Sequence, residues 1–453
     1  MNEQRTQQII FLPMTLAFFL SLYLLLPGCS NPTPTPDAGA KDAGPPISSK
    51  LHTPRELKKI YRLSPLPEKP PPNPTNKYAD DPKAAHLGQF IFYDKRLSKN
   101  GQLACVTCHL PTRGWVDGSR VSLGVKKSTR NTMSLWNVAY NRWFEWDGIS
   151  DTIWAGRLKT IEKEIGLASS RLHVLHLFAN DAKLKAAYQA VVGSFPDVSD
   201  TKRFPKDGKP MPNDEENPLH KAWTGMKAED QDTVNRFFSN IGKFLEAYIR
   251  KLITRDAPFD RYVEGLKEND GEKVKALSES AIRGLKIFVG KGGCTNCHDG
   301  PNFTDDEFHN IGLGLGRLPV PDPGRYLALR ALPKDPFNGL GKYSDDPKSS
   351  YNDKLRFLKT NDNAQLGAMK TGSLRNVTQT GPYMRDGRFK TLKEVVTHYS
   401  LLKEEPAIGH REETMEKLNL TESQIQDVVE FIKSLTGKPL DEKLQKQPAN
   451  PTP

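Results

Sequence analysis

The chain has 453 residues, of which 36% are hydrophobic and 26% charged, and its formal net charge is +11. This composition is typical of a globular protein with enough apolar residues for two cores, and it excludes a chain without a packed interior. The basic residues do not form a run with interleaved aromatic side chains, so nothing in the sequence indicates nucleic-acid binding. The positive charge is diffuse, and it could attract an acidic partner or anionic lipid.

The first predicted element is an apolar stretch over residues 9–26, which ends shortly before Cys29. This arrangement is typical of a secretory signal with a lipoprotein box, in which residues 1–28 are removed and Cys29 carries the lipid. A stretch of this length can also span a bilayer, so an uncleaved anchor is the alternative. Both predict a protein tethered to a membrane outside the cytoplasm. Ser30 after the cysteine favours the outer membrane, and hence the periplasm of a Gram-negative bacterium.

Residues 29–78 are rich in proline, alanine, aspartate and lysine, and the end of the chain, 438–453, has a similar character. Such segments have few apolar side chains to bury, and proline stiffens them. We therefore predict a disordered linker over 29–78 and a disordered tail over 438–453.

Between these segments the sequence predicts helices. Asp81 followed by Pro82 is typical of a helix start, and residues 230–254 place their apolar side chains at helical spacing. Thr421 and Gln424 form a capping box before the last helix. Long alternating runs are scarce, so the predicted fold is mainly α.

Two pentapeptides use four of the five cysteines: Cys105-Val-Thr-Cys108-His109 and Cys294-Thr-Asn-Cys297-His298. Each is the attachment signature of a c-type haem, because two thiols can add to the porphyrin vinyl groups and the adjacent imidazole can ligate the iron. A zinc knuckle and a redox-active cysteine pair are the alternatives, but neither needs a histidine directly after the second cysteine. The sequence therefore predicts two covalently bound haem c groups.

Each attachment motif is preceded by a similar helical segment, Leu87-Gly88 to Phe92 in the first half and Gly284-Leu-Lys-Ile-Phe288 in the second. This echo indicates an internal duplication. The predicted architecture is two cytochrome c-like haem domains with long loops, over residues 79–265 and 266–437.

Further landmarks between residues 79 and 437 resemble the bacterial di-haem cytochrome c peroxidase and MauG family. They include Ala79-Asp-Asp-Pro, Arg130-Asn131, Trp146-Asp-Gly148, Leu374-Arg-Asn-Val377 and Gly381-Pro-Tyr-Met384. The resemblance implies an N-terminal haem that reacts with peroxide, a C-terminal haem that relays electrons, and a calcium ion between the domains.

The resemblance also implies roles for single residues. Cys105 and Cys108 would attach the first haem and His109 would ligate it, whereas Cys294, Cys297 and His298 would do the same for the second. Trp146 matches the tryptophan that lies between the haems in this family. The calcium ligands would be the Asn131 side chain and the carbonyl groups of Thr380 and Pro382, and such oxygen ligands suit a hard cation.

The sixth iron ligands distinguish this chain within the family. Residues 122–130 lack the histidine that classical members carry there, and no histidine occurs between His109 and His173. We therefore predict an open distal face on the first haem. On the second haem the ligand position falls on Tyr399, as in MauG-type enzymes, where a phenolate would stabilise oxidised iron. His398 and Met384 are the alternative ligands.

The family places a distal glutamate after the tryptophan, and Glu164 is its best match, with Glu162 as the rival. Such a carboxylate would move a proton between the two peroxide oxygens. A solvated charged helix face would explain both glutamates equally simply. Arg385 stands where a histidine precedes the Asp-Gly pair in the family.

The resemblance implies a cytochrome c peroxidase that reduces hydrogen peroxide with electrons from a small c-type cytochrome or a cupredoxin. Two other functions stay open: a MauG-type high-valent haem oxidase that acts on a partner protein, and a di-haem electron carrier or redox sensor without turnover. The sequence does not decide the oligomeric state, and a homodimer is one of the open alternatives.

Overall fold

The computed structural model describes residues 45–453, and the prediction of a mainly α fold is confirmed. Cys29, the predicted signal and the first part of the predicted linker lie outside the described residues. Within residues 45–453 no helix has the length and apolar character needed to cross a membrane.

Short and long helices alternate with extended loops. The first eight helices are α1 Ile47–Leu51, α2 Pro54–Ile60, α3 Pro82–Tyr93, α4 Cys105–Cys108, α5 Ile153–Glu162, α6 Arg171–Asn180, α7 Ala182–Val192 and α8 Pro218–Thr224. The others are α9 Ala228–Ile249, α10 Pro258–Glu268, α11 Gly271–Val274, α12 Glu279–Val289, α13 Arg325–Ala331, α14 Asp353–Arg356, α15 Leu392–Leu401 and α16 Glu422–Lys433. Two short strands, β1 Phe308–His309 and β2 Met369–Lys370, form an antiparallel pair.

The predicted helix starts are confirmed. The Asp81 side chain accepts a hydrogen bond from the Ala84 amide at the start of α3, and the capping box of Thr421 and Gln424 opens α16. The helix predicted over 230–254 is α9, which ends at Ile249.

A pair of crossed helices forms the centre of each half, α3 with α9 and α12 with α16. A glycine stands at each crossing because a Cβ atom on Gly88 would lie 1.9 Å from the Phe244 carbonyl oxygen. A Cβ atom on Gly284 would lie 1.9 Å from the Asp427 carbonyl oxygen. No side chain fits at such distances, so both helix pairs depend on a glycine.

Two separate hydrophobic cores surround these crossings. The first contains buried side chains of α3, α5, α6, α7 and α9, and the second contains buried side chains of α10, α12, α15 and α16. Two cores agree with the predicted duplication, whereas the boundary between residues 265 and 266 stays a prediction.

The prediction of disorder is wrong for residues 45–78. This segment contains α1 and α2, and Ile60 and Leu63 are completely buried in the second core. Asn73 donates a hydrogen bond to the buried Glu246 at 2.5 Å. A few apolar anchors and buried amide bonds therefore hold a proline-rich segment that has too little apolar surface to fold alone.

The prediction of a disordered tail over 438–453 is also wrong. Leu440 and Leu444 pack against the first core, although they belong to the end of the chain. The Tyr248 hydroxyl donates to the Leu444 carbonyl oxygen at 2.6 Å, and Gln89 donates to the Lys443 carbonyl oxygen at 2.6 Å. Buried polar groups of α3 and α9 thus find their partners in the tail backbone.

Candidate haem sites

The first attachment motif lies on α4, and His109 follows it directly. The Nδ1 atom of His109 donates a hydrogen bond to the Trp115 carbonyl oxygen at 3.0 Å. Because this bond holds the proton on Nδ1, the Nε2 atom keeps its lone pair for an iron. Burial lowers the pKa of His109 to about 4, and the positive charge of Arg157 adds to the shift. The ring is therefore neutral at neutral pH, which is the form that ligates a metal.

The second motif has the same geometry. The Nδ1 atom of His298 donates to the Phe303 carbonyl oxygen at 3.0 Å, and burial lowers the pKa of His298. Burial raises the pKa of the Cys105 thiol to about 11 and that of the Cys294 thiol to about 12. A redox-active cysteine pair needs a lowered thiol pKa, so these sites do not fit that alternative.

A cavity of about 510 Å³ lies beside the second motif. Its wall includes both cysteines and the histidine of that motif, and it also includes Leu392, Val396 and Tyr399 from α15. Burial raises the pKa of Tyr399 above its ordinary value. A large cavity beside two thiols and an oriented imidazole fits a covalently bound haem.

The predicted sixth ligand of this second site, Tyr399, thus lies on the cavity wall. His398 is turned to another partner, because its Nε2 atom donates to the Ile311 carbonyl oxygen at 3.1 Å. Met384 also lines the cavity. Of the three side chains considered from the sequence, Tyr399 and Met384 therefore reach the cavity wall.

Trp146 lines the same cavity, although it belongs to the N-terminal half of the chain. Its indole Nε1 atom donates to the Asn131 carbonyl oxygen at 2.8 Å, which fixes the ring. The tryptophan predicted to lie between the haems therefore contributes to the wall of the second site.

The three predicted calcium ligands, Asn131, Thr380 and Pro382, also lie on this cavity wall. The side-chain nitrogen of Asn131, Nδ2, donates to the carbonyl oxygens of Ser119 and Arg120, at 2.8 and 3.2 Å. Its amide oxygen is therefore turned to a different side, where an oxygen ligand is available for a hard cation.

A second group of possible metal ligands, Cys297, Asp305 and His309, lies at the rim of the second site. His309 uses both ring nitrogens, with Nδ1 2.8 Å from Glu412 and Nε2 2.9 Å from Asp305. The hydrogen bond to Asp305 is the main cause that raises the pKa of His309 to about 11. Both nitrogens of His309 are thus engaged by carboxylates, and the raised pKa favours a charged cluster at this rim.

The structure does not support Glu164 as the distal acid of the first haem, nor its rival Glu162. The Glu164 side chain is 59% exposed and lies 2.6 Å from the Lys126 ammonium group. Glu162 holds the Arg171 guanidinium with both carboxylate oxygens, at 2.9 and 2.7 Å. Glu164 lies beyond the end of α5 with an exposed side chain, which fits a charged surface, whereas the half-buried Glu162 is engaged by Arg171.

The two halves repeat each other closely after the attachment motifs, at a constant separation of 239 residues. Asn137 and Asn376 both have left-handed backbone conformations, with φ of 57° and 61°. Thr152 and Thr391 are the N-caps of α5 and α15, respectively. The helix α5 therefore occupies in the first half the place that α15 occupies in the second.

This correspondence identifies the residue of the first half that takes the place of Tyr399. At the same separation, Thr160 on α5 corresponds to Tyr399 on α15. The Thr160 hydroxyl donates to the Gly156 carbonyl oxygen at 3.1 Å and has no strong donor atom for iron. This agrees with the predicted open distal face of the first haem, which stays a prediction.

Sequence reasoning missed Arg157, which corresponds to Val396 on the cavity wall. The two attachment motifs are separated by 189 residues, whereas the later repeats are separated by 239, so the second half holds an insertion. A comparison of the halves at the spacing of the attachment motifs therefore does not pair Arg157 with Val396. Aligning the two halves from Thr132 and Thr371 onward would have found it.

Comparison with known proteins agrees with these sites. A model of the di-haem cytochrome c peroxidase family matches residues 82–268. The chain is 30% identical to cytochrome-c peroxidase IdrP1 of Denitromonas iodatirespirans, over 83% of this chain and 87% of that protein. It is 29% identical to the methylamine utilization protein MauG of Methylophilus methylotrophus, over 78% and 82% of the two chains.

A solved structure of a MauG-like protein associated with microbial copper homeostasis has a similar fold. Its TM-score is 0.56 at 24% identity, and the match covers 84% of this chain and 98% of that one. Together with the two oriented haem-attachment sites, these similarities confirm the predicted family. The chain is an oxidoreductase-type haem c protein that belongs to the di-haem cytochrome c peroxidase family, which includes MauG-type enzymes.

Proposed function

We propose that the protein is a peroxidase that reduces hydrogen peroxide to water with electrons from a small redox protein. The observation that carries this proposal is the unequal pair of haem sites. The second cavity has a tyrosine on its wall, whereas the corresponding residue of the first site is Thr160. A site without a strong sixth ligand is the one that can take peroxide.

The two haems supply the redox chemistry when they are bound. The reaction consumes one hydrogen peroxide, two electrons and two protons and yields two water molecules. His109 and His298 would ligate the two haem irons, and the cysteines would prevent loss of the haems. We propose that electrons enter at the second site and pass to the first.

Trp146 supports this route. Its ring lines the second cavity, and the residue before it, Glu145, binds Arg157 of the first half. A fixed aromatic ring between two haem sites shortens the gaps over which electrons must pass. We infer that Trp146 is the bridging group, held in place by the Asn131 carbonyl oxygen.

We also propose that calcium binds at Asn131, Thr380 and Pro382. The three residues share one cavity wall with Trp146. A cation there would connect the two halves next to the bridging tryptophan, and the uncharged oxygen ligands would suit calcium.

A MauG-type oxidase that acts on a partner protein is the second candidate, and Tyr399 is the observation that favours it. A buried phenolate would stabilise oxidised iron at the second haem and so favour the storage of oxidising equivalents. In the peroxidase the electrons that reduce the oxidised haems would come from the electron donor, whereas in the oxidase they would come from side chains of the partner.

The test uses the protein loaded with both haems, hydrogen peroxide, and a reduced small c-type cytochrome or cupredoxin. We expect two donor molecules to be oxidised for each peroxide consumed. A variant without the second haem, Cys294→Ala with Cys297→Ala, should lose donor oxidation. Peroxide consumption without donor oxidation would favour the oxidase, and no reaction at all would favour a plain electron carrier.

We further propose a periplasmic location with a lipid anchor at Cys29, on the basis of the apolar segment before it. The wild-type protein should fractionate with the outer membrane, and Cys29→Ser should be released from it or retained as an uncleaved precursor. Equal soluble amounts of both proteins would contradict the anchor.

A further inference from the structure

Arg157 is a cation in an unusual place. It lies on α5, between two residues of the first core, Trp154 and Leu158, and is only 9% exposed. One guanidinium nitrogen, Nη2, donates to the Glu145 carboxylate. The Nε atom is buried and has no hydrogen-bond partner among the described residues. A buried guanidinium with an unused donor is costly unless a ligand completes its hydrogen bonds.

The internal repeat shows which way this part of α5 faces. Arg157 corresponds to Val396, and Thr160 corresponds to Tyr399, three residues further along the helix. Val396 and Tyr399 both line the cavity of the second haem site. Residues three apart share one face of a helix, so Arg157 and Thr160 share the face of α5 that belongs to the first haem site.

The electrostatic environment agrees with this placement. Burial is the largest cause that lowers the pKa of His109, and the positive charge of Arg157 is the second. The same charge acts to lower the pKa of the Cys105 thiol, against the larger effect of burial. The positive charge of Arg157 thus acts on both His109 and Cys105. The neighbouring cation on α5, Lys159, is engaged elsewhere, because it lies 2.5 Å from Asp335 and donates to the Ile149 carbonyl oxygen.

We propose that Arg157, restrained by Glu145, is the anion-binding residue of the first haem site and holds peroxide or another small anion there. This inference rests on the proposed function for its substrate, peroxide, but its anion binding can be tested without turnover. It gives the first haem site a charged residue, although not the proton-transferring acid that the sequence suggested at Glu164.

The chemistry of the residue fits this role. Reduction of one hydrogen peroxide by two electrons from the donor, with two protons, gives two water molecules, and the departing oxygen gains negative charge as the O–O bond breaks. A fixed guanidinium stabilises that charge where it develops. Arg157 stays protonated throughout, so it provides charge and hydrogen bonds but does not transfer the proton.

The experiment measures binding of azide to the ferric protein with both haems attached, from the change in its absorption spectrum. The variants are Arg157→Gln, which removes the charge, and Arg157→Lys, which retains it. Lys163→Gln is the matched control, because it removes one positive charge from an exposed position just after α5. Imidazole, a neutral ligand, serves as the control for access to the iron.

We expect Arg157→Gln to weaken azide binding about tenfold or more, which corresponds to about 1.4 kcal/mol, with the affinity for imidazole unchanged. Arg157→Lys should recover part of the azide affinity, and Lys163→Gln should leave it unchanged. Equal azide affinity in Arg157→Gln and the wild type would overturn the inference, as would a wild-type protein that binds no azide.

A second variant covers the case in which Arg157→Gln does not fold. Glu145→Gln removes the competing carboxylate and should tighten azide binding several-fold, and an unchanged or weaker affinity would count against the inference. Peroxide turnover is measured in parallel. If azide binding depends on Arg157 but the protein does not turn over peroxide, only the proposed peroxidase function is contradicted. If the protein turns over peroxide but azide binding does not depend on Arg157, only this inference is overturned.

Discussion

The two haem halves share one backbone frame but differ in the side chains that one helix presents. Both need a glycine at the helix crossing and a left-handed asparagine in the loop that follows the attachment motif. On the corresponding helices, α5 presents Arg157 and Thr160, whereas α15 presents Val396 and Tyr399. The comparison teaches that the two halves share a backbone frame for haem attachment, and that they differ in the side chains at corresponding positions of one helix, where we propose that the first half takes a substrate and the second a protein ligand.

The largest expected effect comes from removing the attachment site of one half. Cys105→Ala with Cys108→Ala should reduce the haem content from two to one per chain and abolish peroxide turnover, because the open site would be lost. Haem content and donor oxidation are both measured by absorption. Retained turnover would show that the second site reacts with peroxide and would break the comparison.

Substitution of the two helix-crossing glycines tests whether the backbone frames of the two halves are equivalent. Gly88→Ala and Gly284→Ala should each destabilise the fold by about 3 kcal/mol, because each Cβ atom would lie 1.9 Å from a carbonyl oxygen of the crossing helix. Chemical denaturation measures the free energy of unfolding. Gly271→Ala is the control, since its Cβ atom would meet only the Ile47 side chain at 3.7 Å. A large effect in one half alone would show that the frames are not equivalent.

The next prediction concerns Trp146, which we propose as the electron-transfer bridge between the two haem sites. Trp146→Phe should slow donor oxidation about tenfold, equivalent to about 1.4 kcal/mol of activation free energy, while azide binding at the first site stays unchanged. Stopped-flow absorption measures electron transfer between the haems. Trp223→Phe is the control because Trp223 is buried in the first core, away from the second cavity. Equal rates in Trp146→Phe and the wild type would argue against the bridge.

The contrast between Thr160 and Tyr399 predicts a difference in potential. Tyr399→Met would replace the proposed phenolate ligand by a thioether, so the reduction potential of the second haem should rise by on the order of 100 mV. A redox titration followed by absorption measures both haems separately. The potential of the first haem should be nearly unchanged, and a shift there instead would reverse the assignment of the two sites.

The smallest effect concerns the charged cluster at the rim of the second site. His309 has a pKa raised to about 11 in the folded protein, chiefly by Asp305, so its stabilising contribution is complete below the unfolded value, about 6.5. That contribution is lost as pH rises towards 11. His309→Gln should therefore cost about 1 kcal/mol at pH 6. The difference from the wild type should shrink at pH 10, and unfolding curves at both pH values measure it. A difference that grows with pH would contradict this sign.

Part of the site could be predicted from local sequence because the chemistry is local. A haem-attachment motif contains its two thiols and its imidazole within five residues, and helix caps such as Thr421 depend on side chains three positions away. The position of Trp146 on the second cavity followed from the family resemblance. In contrast, Glu164 was a match by spacing alone, and spacing does not say that α5 ends at Glu162 and leaves Glu164 in an exposed turn.

The sequence by itself predicted the mainly α fold, the family and its haem c cofactors, which are confirmed, and it predicted the attachment cysteines and proximal histidines, which stay predictions. Each of these rests on residues that are neighbours in the chain or follow one helical period. Only the tertiary structure decided that the segment over 45–78 and the tail are packed, that Glu164 faces solvent, and that Arg157 is buried beside the first site. These depend on contacts between residues far apart in sequence, where burial and unpaired polar groups decide the outcome and local composition does not.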